Sequence, residues 1–379
     1  MNFFFFFFSE TKFTNQSAGV RNFASGLFHV DGLRQYVDIF HSNCLKLFTV
    51  LDKLKEKPEG IDIQDYFMRY TLDSFAEIGF GVQLGSISAE THQFAQAFDV
   101  VQFHSMYRGA SGRLWVLKEF FSKPKLFFQN LDYMNNYVYG IINTRKSEPI
   151  EQLQDRQDLL SRLLVANKDI SKEDSRDFVM NFLLAGRDTT AVLLTWSIYL
   201  LSSHPDVVRK LLAEFREYIA EDETPTLANT KSLVYTKMVL QEVLRLYPPV
   251  PIDGYDATKD CTLPNGFKVS KETQIRYCGW DLHRRPELWG EDAEEFRPER
   301  FEHNPAPFTY VPFHLGPREC LGKEMAYLEA KIALVNFLRK YSFTHVPGQK
   351  IETKQGIILT AKYGIRMHLV ERKSLNQSF

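Results

Sequence analysis

Cys320 is the residue whose surroundings most clearly indicate chemistry. It lies on a glycine- and proline-bearing loop, residues 313–322, that runs directly into a predicted helix. Backbone N–H groups and the positive end of that helix would lie beside the sulfur, and both favour a thiolate. Gly316 and Gly322 would let the backbone approach a flat cofactor closely, and Arg318 supplies a guanidinium suited to a carboxylate. These features predict a stabilised thiolate at Cys320; the alternative is a buried structural cysteine at a helix start.

A second group of reactive side chains lies within a long apolar segment, residues 177–201. Its centre, residues 185–190, reads Ala-Gly-Arg-Asp-Thr-Thr. A glycine followed by hydroxyl side chains weakens the hydrogen-bond ladder of a helix, so we expect a local bulge that admits a small ligand. Asp188 and Thr189 would then form an acid–alcohol pair able to deliver protons. The alternative is an Arg–Asp pair inside a packed helix.

Together these segments resemble the cytochrome P-450 family of haem-thiolate monooxygenases. The residues that match the family's haem-binding pattern Phe-x-x-Gly-x-Arg-x-Cys-x-Gly are Phe313, Gly316, Arg318, Cys320 and Gly322. Residues 185–190 match the pattern of its oxygen-binding helix. The resemblance implies haem b as the cofactor, with Cys320 as the axial iron ligand, Phe313 near its sulfur and Arg318 at a propionate. It also implies proton delivery by Asp188 and Thr189.

The resemblance gives a structural role to a third group of residues. Glu242 and Arg245 stand three residues apart on a predicted helix, so their side chains share a face and can pair. In the family such a pair lies beneath the haem and is completed by an arginine from a segment similar to residues 296–301. Arg297 and Arg300 are both candidates for that third position. The sequence favours Arg300 without deciding between them.

The start of the chain departs from the family pattern. Residues 3–8 are six consecutive phenylalanines, and the membrane anchor, first sheet and first helices that family members usually carry are not recognisable. Arg21 fits the position of an arginine that binds a haem propionate, whereas Ser17 stands where a tryptophan is usual. We therefore expect residues 1–19 to be unstructured and residues 20–379 to form a single haem-binding catalytic domain that is N-terminally incomplete.

The elements that position these residues are predicted to be mainly α with small β-sheets. Apolar residues at three- and four-residue spacing, and Ser171 as a helix-capping residue, carry the helix predictions. The predicted helices cover residues 30–55, 63–78, 111–146 with an interruption at Pro124, 177–201, 205–220, 230–246 and about 319–340. Residues 147–157 are predicted to be a mobile surface connection, and short strands and turns occupy residues 248–277 and 351–369.

Composition excludes several classes of protein. The 46 basic and 47 acidic residues give a formal charge of −1, which offers no basic excess for nucleic acid. The four cysteines lack CxxC spacing, so a disulfide framework or zinc cluster is not expected. Residues 177–201 are long enough to suggest a membrane helix, but a charge at its centre would cost at least about 2.5–3.5 kcal/mol in lipid. With Arg187 and Asp188 there, we expect a helix buried in the protein.

Within the family, the chain resembles eukaryotic fatty-acid omega-hydroxylases, on residues 185–191, 250–254, 263–266, 290–293 and 322–327. The implied reaction is hydroxylation of a fatty acid or related lipid at or near its terminal carbon. The reaction would use dioxygen and electrons from an NADPH-dependent cytochrome P-450 reductase. It would take place at the cytosolic face of the endoplasmic reticulum membrane. The alternatives are a haem-thiolate enzyme that rearranges hydroperoxides, which would not need the acid–alcohol pair, and a truncated non-catalytic fragment.

Overall fold

The structure is a computed structural model that describes residue 28 and residues 30–110 and 125–372. The expectations for residues 1–19 and for Arg21 lie outside these ranges, as do residues 111–124 of the helix predicted over 111–146, including the interruption at Pro124. Within them the architecture is mainly α with small antiparallel sheets, which confirms the predicted fold class. No described helix is long and apolar enough to cross a membrane.

Helices make up most of the described chain. In order they are α1 (Val30–Leu54), α2 (Ile63–Phe80), α3 (Gln93–Ala110), α4 (Lys125–Ser147), α5 (Ile150–Asp155), α6 (Leu159–Ala166), α7 (Lys172–Ser202), α8 (Pro205–Tyr218), α9 (Leu227–Ser232), α10 (Val234–Leu246), α11 (Gly279–Leu282), α12 (Pro286–Trp289) and α13 (Lys323–Lys340). Short 3₁₀ turns at Pro298–Glu302 and Gly316–Arg318 lie between α12 and α13.

The strands form one three-stranded sheet and separate two-stranded ladders. They are β1 (Ile61–Asp62), β2 (Ile252–Asp256), β3 (Cys261–Thr262), β4 (Lys268–Val269), β5 (Gln274–Cys278), β6 (Tyr341–His345), β7 (Thr353–Gln355), β8 (Leu359–Ala361) and β9 (Arg366–Glu371). The larger sheet has the order β1-β9-β6, and the ladders pair β2 with β5, β3 with β4 and β7 with β8, all antiparallel.

Helix α7 runs through the core and contributes to both of its hydrophobic clusters. As expected, Ser171 caps its start: the Ser171 hydroxyl accepts the backbone N–H of Asp174 at 2.9 Å. The expected bulge near Gly186 is wrong, because α7 is a continuous helix there. A Cβ on Gly186 would lie 1.9 Å from the Phe75 ring, so this glycine is needed for the close packing of α2 against α7.

Two other expectations about secondary structure are corrected. The segment predicted as a mobile connection, residues 147–157, contains helix α5, which packs through the buried Leu153. The single helix predicted over residues 230–246 is two helices, α9 and α10. They separate at Leu233, where ψ is 78° and the backbone is no longer helical. Local spacing of apolar residues does not register such a break.

Candidate functional site

The loop that carries Cys320 is built from a 3₁₀ turn followed by a helix start. Gly316 opens the turn with φ +75°, a left-handed conformation that favours glycine. Cys320 lies three residues before α13 begins, and its side chain is exposed. Its backbone N–H donates to the carbonyl of Phe313 at 2.9 Å, which folds the loop back on itself. The sulfur therefore stands near the N-terminal end of α13, where backbone dipoles favour a thiolate.

The other predicted members of the loop flank this cysteine along the chain. A Cβ on Gly322 would lie 3.8 Å from the Cys320 sulfur, and a Cβ on Gly316 would meet nothing within 4 Å. Arg318 is exposed. The Phe313 ring is partly buried and packs against Tyr327 of α13, with ring centroids 5.3 Å apart. The loop thus combines an accessible thiol, an exposed guanidinium and open backbone.

Glu242 and Arg245 form a fully buried ion pair on α10. Arg245 donates from Nε to Glu242 Oε2 at 2.7 Å and from Nη2 to Oε1 at 2.8 Å, a bidentate arrangement. Arg245 also donates to backbone carbonyls, including that of His283 at 2.8 Å. The pair therefore joins α10 to the chain that follows α11.

The structure distinguishes the two candidates for the third position. The Arg300 guanidinium lies 3.3 Å from Glu242 Oε1, and its side chain is 5% exposed. The Arg297 side chain is 53% exposed and pairs with Asp292 at 3.0 Å. Arg297 reaches Glu242 only through its backbone N–H, at 2.9 Å. Arg300 is thus the arginine whose charge faces the buried glutamate.

Asp188 occupies a buried position on α7 among charged and polar neighbours. Arg187 Nη1 lies 3.1 Å from Asp188 Oδ1 and 2.7 Å from Asp99 of α3. Gln102, also on α3, donates to the other Asp188 oxygen. Burial raises the pKa of Asp188 to about 6, against the lowering effect of the Arg187 charge. This carboxyl can therefore change its protonation state near neutral pH.

Thr189 follows Asp188 in the chain but faces a different direction. Its hydroxyl donates to the carbonyl of Ala185 at 2.6 Å, one turn back along α7. Consecutive residues on a helix do not face each other, and the described residues show no direct hydrogen bond between Asp188 and Thr189. The two members of the predicted acid–alcohol pair are neighbours along the chain, and each side chain bonds a different partner.

A cavity of about 500 Å³ borders Asp188 on the side of α3. Its wall is rich in charged and polar side chains, among them Asp65, Arg69, Asp99, Gln102, Arg187 and Lys354. Sequence reasoning did not identify Asp99 and Gln102, because no motif marks these residues and α3 lies far from α7 along the chain. The cavity borders a carboxyl that titrates near neutral pH, and its wall combines these polar groups with apolar side chains such as Phe103, Ile357 and Ile358.

Comparison with known proteins identifies the family. The family model "Cytochrome P450" matches residues 11–368. The chain belongs to the cytochrome P450 family. Cytochrome P450 704B1 of Arabidopsis thaliana is 33% identical over 405 residues, covering 93% of this chain and 77% of the relative. The alkane hydroxylase MAH1 of the same plant is 31% identical, covering 86% and 69%.

A solved cytochrome P450 shares the fold. The crystal structure of the cytochrome P450DA heme domain superposes with a TM-score of 0.79 at 25% identity, covering 93% of this chain and 75% of that chain. Cytochromes P450 are haem-thiolate monooxygenases that take electrons from redox partners and act on hydrophobic substrates. The cofactor of this chain is therefore haem b, iron protoporphyrin IX.

The residues of this structure fit that cofactor. Within the described ranges, no group of three or more His, Cys, Asp and Glu side chains could hold a metal ion, whereas haem iron needs one protein ligand such as a thiolate. Cys320 offers an exposed thiol. Ala185 is exposed in the middle of α7 although most of the residues around it are buried, so a flat apolar group has surface to cover there.

Proposed function

We propose that this cytochrome P450 hydroxylates a fatty acid or related lipid at or near its terminal carbon. One atom of dioxygen enters a C–H bond, and the other leaves as water with two electrons and two protons. The electrons come from an NADPH-dependent cytochrome P-450 reductase at the cytosolic face of the endoplasmic reticulum membrane. The similarity to a plant alkane hydroxylase supports an alkyl-chain substrate.

The observation that carries the monooxygenase proposal is the environment of Asp188. An enzyme that reduces dioxygen consumes protons, and a rearrangement of hydroperoxides does not. Asp188 is 1% exposed, and its pKa is raised to about 6 by burial. A carboxyl with a pKa near the working pH is suited to take up and release protons repeatedly. The buried acid thus favours the reaction that needs protons.

The residues around Asp188 define how a proton would move. Water in the polar cavity protonates the Asp188 carboxylate, which Arg187 and Gln102 hold on the side of α3. The protonated side chain then turns along α7 or uses one water to reach the Thr189 hydroxyl. Thr189 holds its own proton on the Ala185 carbonyl at 2.6 Å and can pass it on as it receives another. Because charged and polar side chains line part of its wall, this cavity can serve as the entry for protons.

The remaining site residues bind the cofactor or hold the site in place. When bound, haem supplies the iron at which dioxygen is activated for insertion into a C–H bond. Cys320 would supply the thiolate that holds the iron, and Arg318 would neutralise a propionate, with Arg21 as a second candidate for that contact. The residues that shape the loop or support it are Phe313, Gly316, Gly322, Glu242, Arg245 and Arg300.

The first experiment is a carbon monoxide difference spectrum of the reduced, haem-loaded protein. We expect the long-wavelength Soret band of thiolate ligation in the wild-type protein and its loss in Cys320→Ala. Haem bound to both proteins with the same spectrum would overturn the assignment of Cys320. A wild-type protein that takes up no haem would identify this polypeptide as a non-catalytic fragment.

A second experiment tests the reaction with lauric acid, NADPH, reductase and isotopically labelled dioxygen. We expect label in a product hydroxylated at or next to the terminal carbon, identified by mass spectrometry. Conversion of a fatty-acid hydroperoxide without NADPH, and with no label incorporated, would instead identify the rearranging enzyme. In Thr189→Ala we expect NADPH consumption to continue while product falls, because electrons then leave without proton delivery.

A further inference from the structure

His283 connects the buried arginine to the entrance of the cysteine loop. Its imidazole is fully buried, and Nε2 accepts the backbone N–H of Val311 at 3.0 Å. Arg245 donates to the carbonyl of the same histidine at 2.8 Å. Burial, with the charges of Arg245 and Arg284, lowers the pKa of His283 to about 3. The ring is therefore neutral, and its Nε2 lone pair stays available to Val311.

His314 makes a second connection from within the loop. Its Nε2 hydrogen-bonds Asp253 Oδ2 of strand β2, and the two side chains are 27% and 12% exposed. The other Asp253 oxygen accepts the backbone N–H of Gly254 at 2.7 Å, which fixes the carboxylate. The His314 backbone has φ +62°, a left-handed conformation that histidine and asparagine adopt more readily than most residues.

Both connections end on the same part of the fold. Strand β2 pairs with β5, with Ile252 opposite Cys278, and β5 runs directly into α11. His283 is the residue that ends α11. The backbone N–H of Trp280 also donates to the carbonyl of Pro251 at 3.3 Å, which ties α11 to the segment before β2. His283 and Asp253 thus hold the loop against one hydrogen-bonded unit.

We propose that His283 and His314 are positioning residues for the Cys320 thiolate. Phe313 lies between their two anchor points, and its carbonyl accepts the Cys320 backbone N–H at 2.9 Å. Holding both sides of Phe313 fixes this carbonyl, and through it the direction of the cysteine. The proposal rests on the assignment of Cys320 as the axial ligand, which the wild-type spectrum tests first.

A matched pair of variants distinguishes the effect of the His314–Asp253 contact from the effect of backbone strain at His314. His314→Asn keeps a residue that tolerates positive φ but is too short to reach Asp253. His314→Gln keeps an N–H near the position of Nε2 but tolerates positive φ less well. If the contact with Asp253 positions the loop, His314→Gln keeps most of the thiolate-type carbon monoxide band and His314→Asn loses most of it. Backbone strain alone predicts the opposite order.

The same logic applies to the buried histidine. His283→Gln places an amide oxygen where Nε2 accepts from Val311, whereas the shorter His283→Asn does not reach. We expect the thiolate band to be retained by the first variant and to shift to shorter wavelength in the second. Melting temperature and haem content, measured on each variant, show whether the shift occurs in folded, haem-loaded protein.

A double substitution completes the test. After His314→Asn, adding Asp253→Ala should change the thiolate fraction little, because the contact is already lost. Independent, additive losses would overturn the proposal, as would His314→Asn matching or exceeding His314→Gln. If a histidine variant loses the band only in step with haem loss and unfolding, its role is structural and the proposal fails. A wild-type protein that binds haem without the thiolate band would instead remove the assignment of Cys320 and this proposal together.

Discussion

Two buried regions of this protein differ in the hydrogen bonds that they provide to a buried carboxyl group. Glu242 on α10 receives two hydrogen bonds from Arg245 and one from a backbone N–H. Glu329 on α13 is equally buried, yet neither of its oxygens accepts a hydrogen bond from the residues the structure describes. Burial raises the pKa of Glu329 well above its usual value.

Asp188 lies between these extremes and shows what the difference means. It has partners in Arg187 and Gln102, but they leave its pKa at about 6. A carboxylate matched by cations stays ionised and fixes the geometry around it, whereas an unmatched one keeps its proton. The region around Glu242 and Arg245 is therefore suited to keep a fixed geometry. The region along α7 and α13 is where protonation can change.

The largest expected effect is from Glu242→Gln. This change leaves the buried Arg245 without a compensating charge, and breaking a buried pair in this way costs about 3–5 kcal/mol. The free energy of unfolding, measured by denaturant titration, should fall by that amount. Glu371→Gln is the matched control, because Glu371 pairs with Lys55 at 3.1 Å on the surface and its loss should cost at most about 1 kcal/mol. Equal losses in the two variants would remove the distinction between the regions.

The next effect, from Asp188→Asn, should appear in catalysis and not in folding. The variant cannot carry a proton at this position, so product formation should fall by about 10²-fold. The free energy of unfolding at neutral pH should stay level or rise, since a buried acid with a raised pKa is removed. Product and NADPH consumption are measured together, with Glu371→Gln as control because that side chain is 57% exposed and does not line the cavity. A normal product yield in Asp188→Asn would show that protons arrive elsewhere.

The pH dependence of the wild-type enzyme tests the same carboxyl. With a pKa of about 6, Asp188 is mostly protonated below pH 6 and mostly ionised above it. If Asp188 supplies protons, the yield of product per NADPH should decline as the pH rises through this value. The decline should be absent in Asp188→Asn, whose residual activity lacks this group. A decline of the same shape in both proteins would assign it to another residue.

The sequence could predict the cysteine loop because its residues are contiguous. Five fixed positions within ten residues include the glycines of the turn, the thiol and the residue before the helix. Their effects are on residues close by in the chain. The surroundings of Asp188 could not be predicted in this way. Gln102 is separated from it by 86 positions along the chain, and only the packing of α3 against α7 brings them together.

Gly186 shows where local reasoning gives the wrong answer. Within its own helix, a glycine followed by threonines indicates a weakened hydrogen-bond ladder and therefore predicts a bulge. Its actual reason is tertiary, because the Phe75 ring of α2 occupies the space that a Cβ would need. The choice between Arg297 and Arg300 has a similar origin. Both fit the sequence pattern, and the 3₁₀ turn at Pro298–Glu302 determines which side chain turns inward.

Glu329→Gln should have a smaller effect, and it should increase stability. Because burial raises the folded-state pKa, the unfolded chain ionises first as the pH rises above about 4.5, and stability is then lost at up to about 1.4 kcal/mol per pH unit. The glutamine variant has no such loss. Its free energy of unfolding should match wild type near pH 4 and exceed it increasingly towards pH 7. Parallel curves would mean that Glu329 is ionised in the folded protein.

The smallest effect should come from Arg297→Ala, and its contrast with Arg300→Ala isolates what stabilises Glu242. The Arg297 side chain is 53% exposed, and its contribution to Glu242 is a backbone N–H that alanine retains. We expect a loss below about 0.5 kcal/mol, typical of a surface substitution. Arg300→Ala removes a guanidinium that is 5% exposed and also bonds Asp292 at 2.8 Å, so it should cost several times more. Equal destabilisation of the two variants would show that the charge facing Glu242 does not stabilise this region. The backbone hydrogen bonds of the 3₁₀ turn would then account for its stability.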